Sequence, residues 1–111
     1  METIKKSKDF KCVYRKKILK ADKLLVLYIL PNELEYSRIG ISVSKKVGKA
    51  NVRNRIKRRL KEIFRLNEQV IVKGYDLVVV VRVSAADANF DEIKTSFMDL
   101  IKRQGLLEER D

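Results

Sequence analysis

The sequence predicts one α+β domain over residues 1–111, an α/β sandwich with elements in the order α-β-β-α-β-α and a mixed sheet. Three observations support this fold class. Strand-length apolar runs alternate with segments of helical periodicity. A hydrophobic content of 45% is typical of a globular protein, and 111 residues suffice for one modest core. No internal repeat or linker-like stretch divides the chain.

The first predicted element is a helix over Ser7–Lys17. Ser7 is its expected N-cap, and Asp9 stands in the first turn, where the helix dipole favours an anion. Phe10 and Tyr14 lie one turn apart on the apolar face. Two interpretations of this aromatic pair stay open. Either both rings pack on the core, or part of the pair lines a groove where bases or sugars stack beside basic neighbours.

Two predicted strands follow. Lys23–Leu30 is apolar after its first residue, and Tyr36–Ser44 alternates between apolar residues and small or polar ones. The turn chemistry of Pro31–Glu33 predicts that these strands pair antiparallel. The sequence does not fix their register.

One face of the second strand is small and polar. This face carries Arg38, Gly40, Ser42 and Ser44. Simple solvent exposure explains it, as in many antiparallel sheets. The alternative is a groove floor, because small residues leave room for a ligand backbone and hydroxyl groups can donate to phosphates or sugars. Tyr28 of the preceding strand is a candidate for the same face.

The stretch Ser44–Leu66 predicts a long basic helix with Asn51 as its N-cap. Residues 45–65 contain ten basic side chains and one acid, Glu62, which together make +9 of the net charge of +11. The apolar stripe consists of Val52, Ile56, Leu60 and Ile63. A solvated helix face ordinarily mixes charges of both signs. This pattern therefore favours a helix that binds a polyanion over one that is merely solvated.

The last elements complete the order. Tyr75–Val83 is nearly continuous in apolar, β-branched residues, as in a central strand covered on both faces. A helix over Asp91–Gln104 follows, with Asp87 or Asn89 as its cap and Gly105 as its end. The loop at 66–74 and a frayed tail at 106–111 are expected. The general rule for a strand–helix–strand unit predicts a right-handed crossover through the basic helix.

The composition narrows the function classes. A pI near 9.9 with clustered Lys and Arg indicates a nucleic-acid partner first and an anionic membrane second. No apolar run reaches the length of a membrane span, and the polar start is unlike a signal peptide, so we expect a cytoplasmic protein. A lone Cys12 agrees with that compartment.

The sequence shows no set of residues that would support catalysis by the protein alone. The chain has no His, the commonest general base, and its acids are scattered rather than clustered for Mg²⁺. Neither the P-loop nor the dinucleotide-binding glycine motif occurs. We therefore expect a binding module with no catalytic residue and no metal site of its own.

The run SVSKKVGKANVRNRIKRRLKEIF resembles the signature of the bacterial ribonuclease P protein subunit. The resemblance comprises the SVSKK-x-G turn, the Arg53-Asn54-Arg55 triplet that opens the basic helix, and the Lys57-Arg58 continuation. Matches in the first helix and both strands extend it over nearly the whole chain.

The resemblance implies an accessory subunit of a ribonucleoprotein endonuclease. In that family a large catalytic RNA uses Mg²⁺ to remove the 5′ leader from precursor tRNA, and the small protein binds both the catalytic RNA and the leader. Mg²⁺ is then held mainly by the RNA, with none bound tightly by the protein, and no obligate protein partner is implied. The family's crossover through the basic helix is the uncommon left-handed kind, and we follow the resemblance on that point.

The resemblance also assigns residues to two surfaces. The residues expected to bind the catalytic RNA are Arg53, Asn54, Arg55, Lys57, Arg58 and Arg65. The residues expected to line the leader cleft are Phe10, Tyr14, Tyr28, Arg38, Ser42, Ser44 and Lys45.

Other functions stay open at this point. A ribosomal protein or RNA chaperone would have the same charge and size. A DNA-binding regulator is less favoured, because no helix of suitable spacing precedes the basic one. A stand-alone nuclease is least favoured, because it lacks visible catalytic groups.

Overall fold

The computed structural model describes residues 1–108 of the chain. Its strands are β1 (Glu2–Thr3), β2 (Leu19–Ala21), β3 (Leu25–Pro31), β4 (Arg38–Ser42) and β5 (Tyr75–Val81). Its α-helices are α1 (Ser7–Lys16), α2 (Ala50–Asn67) and α3 (Phe90–Arg103). Short 3₁₀ turns occupy Glu68–Val70 and Val83–Ala85. The predicted α+β class, the three helices and the three longer strands are confirmed.

The five strands form one mixed sheet in the order β1-β4-β5-β3-β2. β5 is the central strand, parallel to β4 and antiparallel to β3. The predicted hairpin between β3 and β4 is wrong, because β5 lies between them. Turn chemistry is local, whereas strand order follows burial, and Leu77, Val78 and Val79 are fully buried in this central position.

The parallel pair of β4 and β5 is joined through α2, as the strand–helix–strand pattern predicts. The handedness of this crossover stays a prediction.

The sheet separates two apolar layers. α2 and α3 cover one face, where Phe64 and Phe97 pack with Leu27 and Leu77 in the main core. α1 covers the other face, where Val13 packs on Val78 in a smaller core. The polar side of β4 therefore faces α1, and the core beneath α1 is much smaller than the main core.

Two predicted N-caps are wrong. Ser7 is the first helical residue of α1, because the chain is still extended at Lys6, the true N-cap. Asn51 lies inside the first turn of α2, because the amide of Arg53 already donates to the carbonyl of Lys49. The α3 cap is confirmed at Asn89, whose side chain accepts from the amide of Glu92 in a capping box.

The expected frayed tail is ordered over 106–108. Leu106 is buried, and its carbonyl accepts a 2.7 Å hydrogen bond from the amide of Val72. Leu107 pairs with Ile71 in an isolated β-bridge. Burial of Leu106 offsets the entropy of ordering this segment. The rest of the predicted tail, 109–111, lies outside the described residues.

Candidate nucleic-acid interface

The predicted RNA-binding residues of α2 lie on the part of the helix surface that is not packed against the core. Ile56, Leu60, Ile63 and Phe64 are buried against the sheet and α3. Asn54, Arg58 and Arg65 are exposed, and Arg53, Arg55 and Lys57 are half-buried along the flanks. The helix thus presents its cations to solvent while its apolar side anchors it to the core.

Arg53 and Arg55 carry unsatisfied donors. The Nε atom of each is buried and has no hydrogen-bond partner among residues 1–108. A buried N–H group without an acceptor is costly, and for a charged group more so. The other nitrogen atoms of both half-buried guanidinium groups have no hydrogen-bond partner in this range either and are not buried, so an anionic oxygen from outside the protein can bind there.

The N-terminus of α2 adds to this positive potential. Its N-cap Lys49 makes no side-chain capping bond, and its first turn contains no acid. The free amide groups and the helix dipole both favour an anion at this end. The helix end near Gly48, Lys49 and Arg53 is therefore suited to binding a phosphate.

Arg65 differs from the other arginines of the predicted set. Its guanidinium donates two hydrogen bonds to Glu62, at 3.1 Å from Nε to Oε2 and 2.6 Å from Nη2 to Oε1. This pairing lowers the pKa of the Glu62 carboxyl and raises the pKa of Arg65. Both side chains stay about half exposed, so the pair partly neutralises the cationic surface at that point.

The exposed side of α2 borders a groove of about 350 Å³ beneath Met1. Its other lining residues are Asn54, Lys57, Arg58, Lys61, Glu62 and Arg65. Lys61 was not in the predicted set, although its spacing of four residues from Lys57 places both on one side of the helix. The groove gives four of the six predicted RNA-binding residues a common surface, and Arg53 and Arg55 lie outside it.

A second cleft, of about 460 Å³, lies where α1, the end of β4 and α2 meet. Phe10, Tyr14 and Ser42 of the predicted leader cleft line it. Lys5, Ser7, Ile41, Val43 and Lys57 complete the lining. Lys57 borders both this cleft and the groove along α2, so the two surfaces adjoin at one side chain.

The aromatic pair combines both of the roles left open by the sequence. Phe10 and Tyr14 are half-buried: each packs against the small core around Val13 and Val78, and each also lines the cleft. Tyr14 meets Tyr28 edge to face at a centroid distance of 5.0 Å. Tyr28 itself does not line the cleft; it supports the ring of Tyr14 from the sheet.

The space beside Gly40 is filled by the protein itself. A Cβ atom at this position would lie 2.7 Å from Cζ of Phe10. The small residue on this face therefore serves the packing of α1, and the expected room for a ligand backbone is not present at Gly40. Ser42, two residues on, is the member of this face that opens onto the cleft.

Arg38 is held away from the cleft. Its guanidinium donates to both oxygens of Asp76, at 2.8 Å and 2.6 Å, and its Nη1 lies 3.8 Å from Oδ2 of Asp9. The hydrogen bonds to Asp76 raise the pKa of Arg38. Asp76 is 4% exposed and also accepts from Asn32, so Arg38 ties α1 to the central strand.

Ser44 and Lys45 lie in the exposed turn between β4 and α2. The amide of Val47 donates to the carbonyl of Ser44 and closes this turn. Neither side chain lines the cleft, although Ser42, two residues earlier, does. The turn follows directly on Val43, which does line the cleft.

The chain matches the protein-family model described as Ribonuclease P over residues 1–105. It is 52% identical over 101 residues to a "Ribonuclease P protein component" from Clostridioides difficile (strain 630), covering 90% of this chain and 89% of that one.

Two solved structures have the same fold at a similar level of identity. The RNase P protein of Staphylococcus aureus superimposes with a TM-score of 0.90 at 35% identity, covering 97% of this chain and 99% of that one. The RNase P protein from Thermotoga maritima gives 0.85 at 34% identity over 93% and 97%. The chain belongs to the ribonuclease P protein family.

Membership of the ribonuclease P protein family fixes the general function. The chain is an accessory protein of an endoribonuclease that acts in tRNA processing, and its partner is the RNase P RNA. A ribosomal protein or RNA chaperone is not favoured. The cationic surfaces of α2 thus belong to a protein with a polyanionic partner.

In residues 1–108 no three Asp, Glu, Cys or His side chains are grouped so that they could hold a metal ion. No helix within the same range is long and apolar enough to cross a membrane.

Proposed function

We propose that the protein binds the catalytic RNA through α2 and binds the 5′ leader of precursor tRNA in the cleft between α1 and β4. The observation that carries this proposal is the position of Lys57, which borders both the groove along α2 and the cleft. An RNA bound along α2 and a strand in the cleft would meet at this side chain.

The α2 surface suits a folded RNA. Arginine predominates between residues 53 and 65, and its planar guanidinium bonds phosphate oxygens in pairs. Arg53 and Arg55 form no ion pair among residues 1–108, and the nearby helix N-terminus favours an anion. The proposed contacts to the catalytic RNA are Arg53, Asn54, Arg55, Lys57, Arg58 and Arg65.

The cleft suits a single strand. Phe10 and Tyr14 offer aromatic surface for base stacking, the Ser42 hydroxyl offers a hydrogen bond, and Lys5 and Lys57 offer charge for phosphates. Ser44 and Lys45 extend the proposed contacts at the cleft mouth. Tyr28 and Arg38 support the aromatic helix from the sheet, and contact with the leader is not proposed for them.

We propose that the chemistry and its Mg²⁺ belong to the RNA subunit. The protein's part is electrostatic and positional: its cations reduce the repulsion between the leader and the catalytic RNA. Less Mg²⁺ is then needed to hold the two together. Leader removal would take place in the cytoplasm, without an obligate protein partner.

Reconstitution tests the proposal. We expect that adding the protein to a bacterial RNase P RNA at low Mg²⁺ raises the rate of leader removal, and that it lowers the Kd for precursor tRNA more than for mature tRNA. If the protein bound the RNA but changed the Kd for precursor tRNA and the Kd for mature tRNA by the same factor, the assignment of the leader cleft would be wrong. Failure to bind the RNA would remove the role of α2 as well.

A further inference from the structure

The outer surface of α1, formed by Lys8, Lys11, Cys12, Arg15 and Lys16, is a third cationic region that neither the α2 groove nor the cleft includes. Residues 5–17 contain seven basic side chains and a single acid, Asp9. Asp9 points toward Arg38 rather than toward these cations. All five residues of the outer surface are exposed.

The cations of this surface have no internal partners. None of Lys8, Lys11, Arg15 and Lys16 forms an ion pair or a side-chain hydrogen bond with residues 1–108. A solvated helix surface gains stability from opposite charges one turn apart, and this one has only like charges there. Its self-repulsion is relieved when an anion binds.

The surface begins where the cleft ends. At about 100° per residue, Lys11 lies about 60° around the helix from Tyr14, and Arg15 and Lys8 follow within about another 60°. Tyr14 lines the cleft, so a strand that leaves the cleft over α1 meets Lys11 first and then Arg15 and Lys8. The positive path is continuous from the cleft to the outer surface.

The type of cation indicates what binds. Six of the seven basic residues between 5 and 17 are lysines, whereas arginine predominates in α2 from residue 53 to 65. Lysine is a hydrated point charge on a flexible stem, and arginine is a rigid fork suited to fixed, paired contacts. The outer surface also lacks aromatic rings and hydroxyl groups. It is therefore suited to a mobile phosphate backbone without base recognition.

We propose that the outer surface of α1 binds the part of a long 5′ leader that extends beyond the cleft, through phosphate contacts to Lys8, Lys11 and Arg15. This inference rests on the leader occupying the cleft. If the outer surface binds the leader in this way, the affinity for precursor tRNA depends on the length of the leader and not on its sequence. Precursors with long leaders should also show the steeper dependence of affinity on salt.

The test compares leaders of about 4 and about 16 nucleotides, the range of single-strand site sizes on small domains. We expect the triple variant Lys8→Gln, Lys11→Gln, Arg15→Gln in the reconstituted ribonucleoprotein to bind the short-leader precursor as the wild type does. For the long leader it should lose on the order of tenfold in affinity, and the slope of log K against log salt should become shallower by about 2.

A matched control removes the same charge elsewhere. The variant Lys73→Gln, Lys94→Gln, Lys102→Gln changes three exposed lysines away from α1 and should leave both leaders unaffected. The inference would be overturned if the triple variant lost the same affinity for precursors of both leader lengths, or if it lost affinity for the catalytic RNA without substrate. An unchanged affinity of the triple variant for the long-leader precursor would overturn it as well. The wild-type protein tests the proposed function separately. Its complex must bind precursor tRNA more tightly than mature tRNA even when the precursor has the short leader.

Cys12 provides a second measurement. It is the chain's single cysteine and is exposed on the outer surface, so a photoreactive group can be attached there without further substitution. We expect cross-links to the distal nucleotides of the long leader in the assembled complex. Cross-links confined to the catalytic RNA, or none to the leader, would contradict the inference.

Discussion

The ring of Phe10 lies over Gly40, and a Cβ atom on that glycine would come within 2.7 Å of Cζ and 2.8 Å of Cε1. The absence of a side chain at Gly40 therefore sets how closely α1 approaches β4. The cleft is lined by Phe10 on one side and Ser42 on the other, so this approach also sets its width.

Gly40→Ala is expected to push the Phe10 ring out of its position. Overpacking of this kind destabilises a fold by about 1–3 kcal/mol, and here it also displaces an aromatic ring of the cleft. We expect weaker binding of precursor tRNA, with binding of the catalytic RNA alone unchanged. Urea unfolding and the two affinities measure these effects.

The double variant Gly40→Ala, Phe10→Leu is the control for that substitution. The smaller, more flexible leucine makes room for the new methyl group, so most of the lost free energy of unfolding should return. The affinity for precursor tRNA should stay low, because leucine cannot stack on a base. If Gly40→Ala alone had no effect on either quantity, the contact would not control the cleft.

The sequence predicted the long elements well for a physical reason. Helical and strand periodicity depend on burial of one side of each element, and residues such as Ile56 and Leu60 carry that signal directly. β1 and β2 were missed, because Glu2–Thr3 and Leu19–Ala21 are too short for any period. Strand order was predicted wrongly, since a turn between β3 and β4 contains no information about the later strand inserted between them.

The candidate site was predictable in its residue types but not in its geometry. The basic content of α2 and the aromatic pair of α1 are visible in the sequence. The bonding of Arg38 to Asp76 is not, since these residues are far apart along the chain and meet only through the register of β4 with β5. Lys5 was missed for a similar reason, because it reaches the cleft only once α1 has packed on the sheet.

Asp76→Asn is expected to destabilise the protein by about 2–3 kcal/mol, because it replaces a buried carboxylate that accepts charge-assisted bonds from Arg38. The link from Arg38 to Asp9 of α1 loosens as a consequence. Chemical denaturation measures the change in the free energy of unfolding.

Asp99→Asn is the matched control for Asp76→Asn. Asp99 pairs with Arg103 at 3.6 Å on the exposed side of α3, and a pair of this kind contributes well under about 1 kcal/mol. Its removal should change stability little. Similar losses for both variants would mean that burial does not distinguish these ion pairs.

Tyr14→Leu separates stacking from packing. Leucine keeps most of the apolar contact with the small core but removes the aromatic surface beside the cleft. Loss of one stacked base is worth about 1–3 kcal/mol, so we expect the affinity for precursor tRNA to fall at least about fivefold relative to mature tRNA. The exposed Tyr36, which is outside the cleft, provides the control variant Tyr36→Leu. A loss shared equally by precursor and mature tRNA would assign Tyr14 to packing alone.

Glu62→Gln is expected to tighten binding of the catalytic RNA. The substitution frees Arg65 from its carboxylate partner and removes the negative charge from the groove along α2. One additional phosphate contact makes the slope of log K against log salt steeper by about 0.7–0.9. Asp99→Asn likewise removes a carboxylate beside an arginine, Arg103 of α3, and should leave RNA affinity unchanged. An unchanged or lower affinity for Glu62→Gln would show that Arg65 does not contact the RNA.

The double variant Arg53→Lys, Arg55→Lys tests whether α2 binds through geometry or through charge alone. Net charge is kept, and the lysine stems preserve the partly buried contacts along the flanks of the helix. The buried Nε donors are lost, however, and lysine cannot bond a phosphate in the paired geometry of arginine. We expect thermal stability equal to the wild type or slightly higher, because two buried donors without acceptors are removed. The affinity for the RNase P RNA should be about tenfold lower, with a nearly unchanged salt slope, because the number of neutralised phosphates stays the same. The control Arg82→Lys, Arg103→Lys makes the same exchange outside α2. Full affinity in the Arg53 and Arg55 variant would mean that only the charge of these residues matters to the RNA.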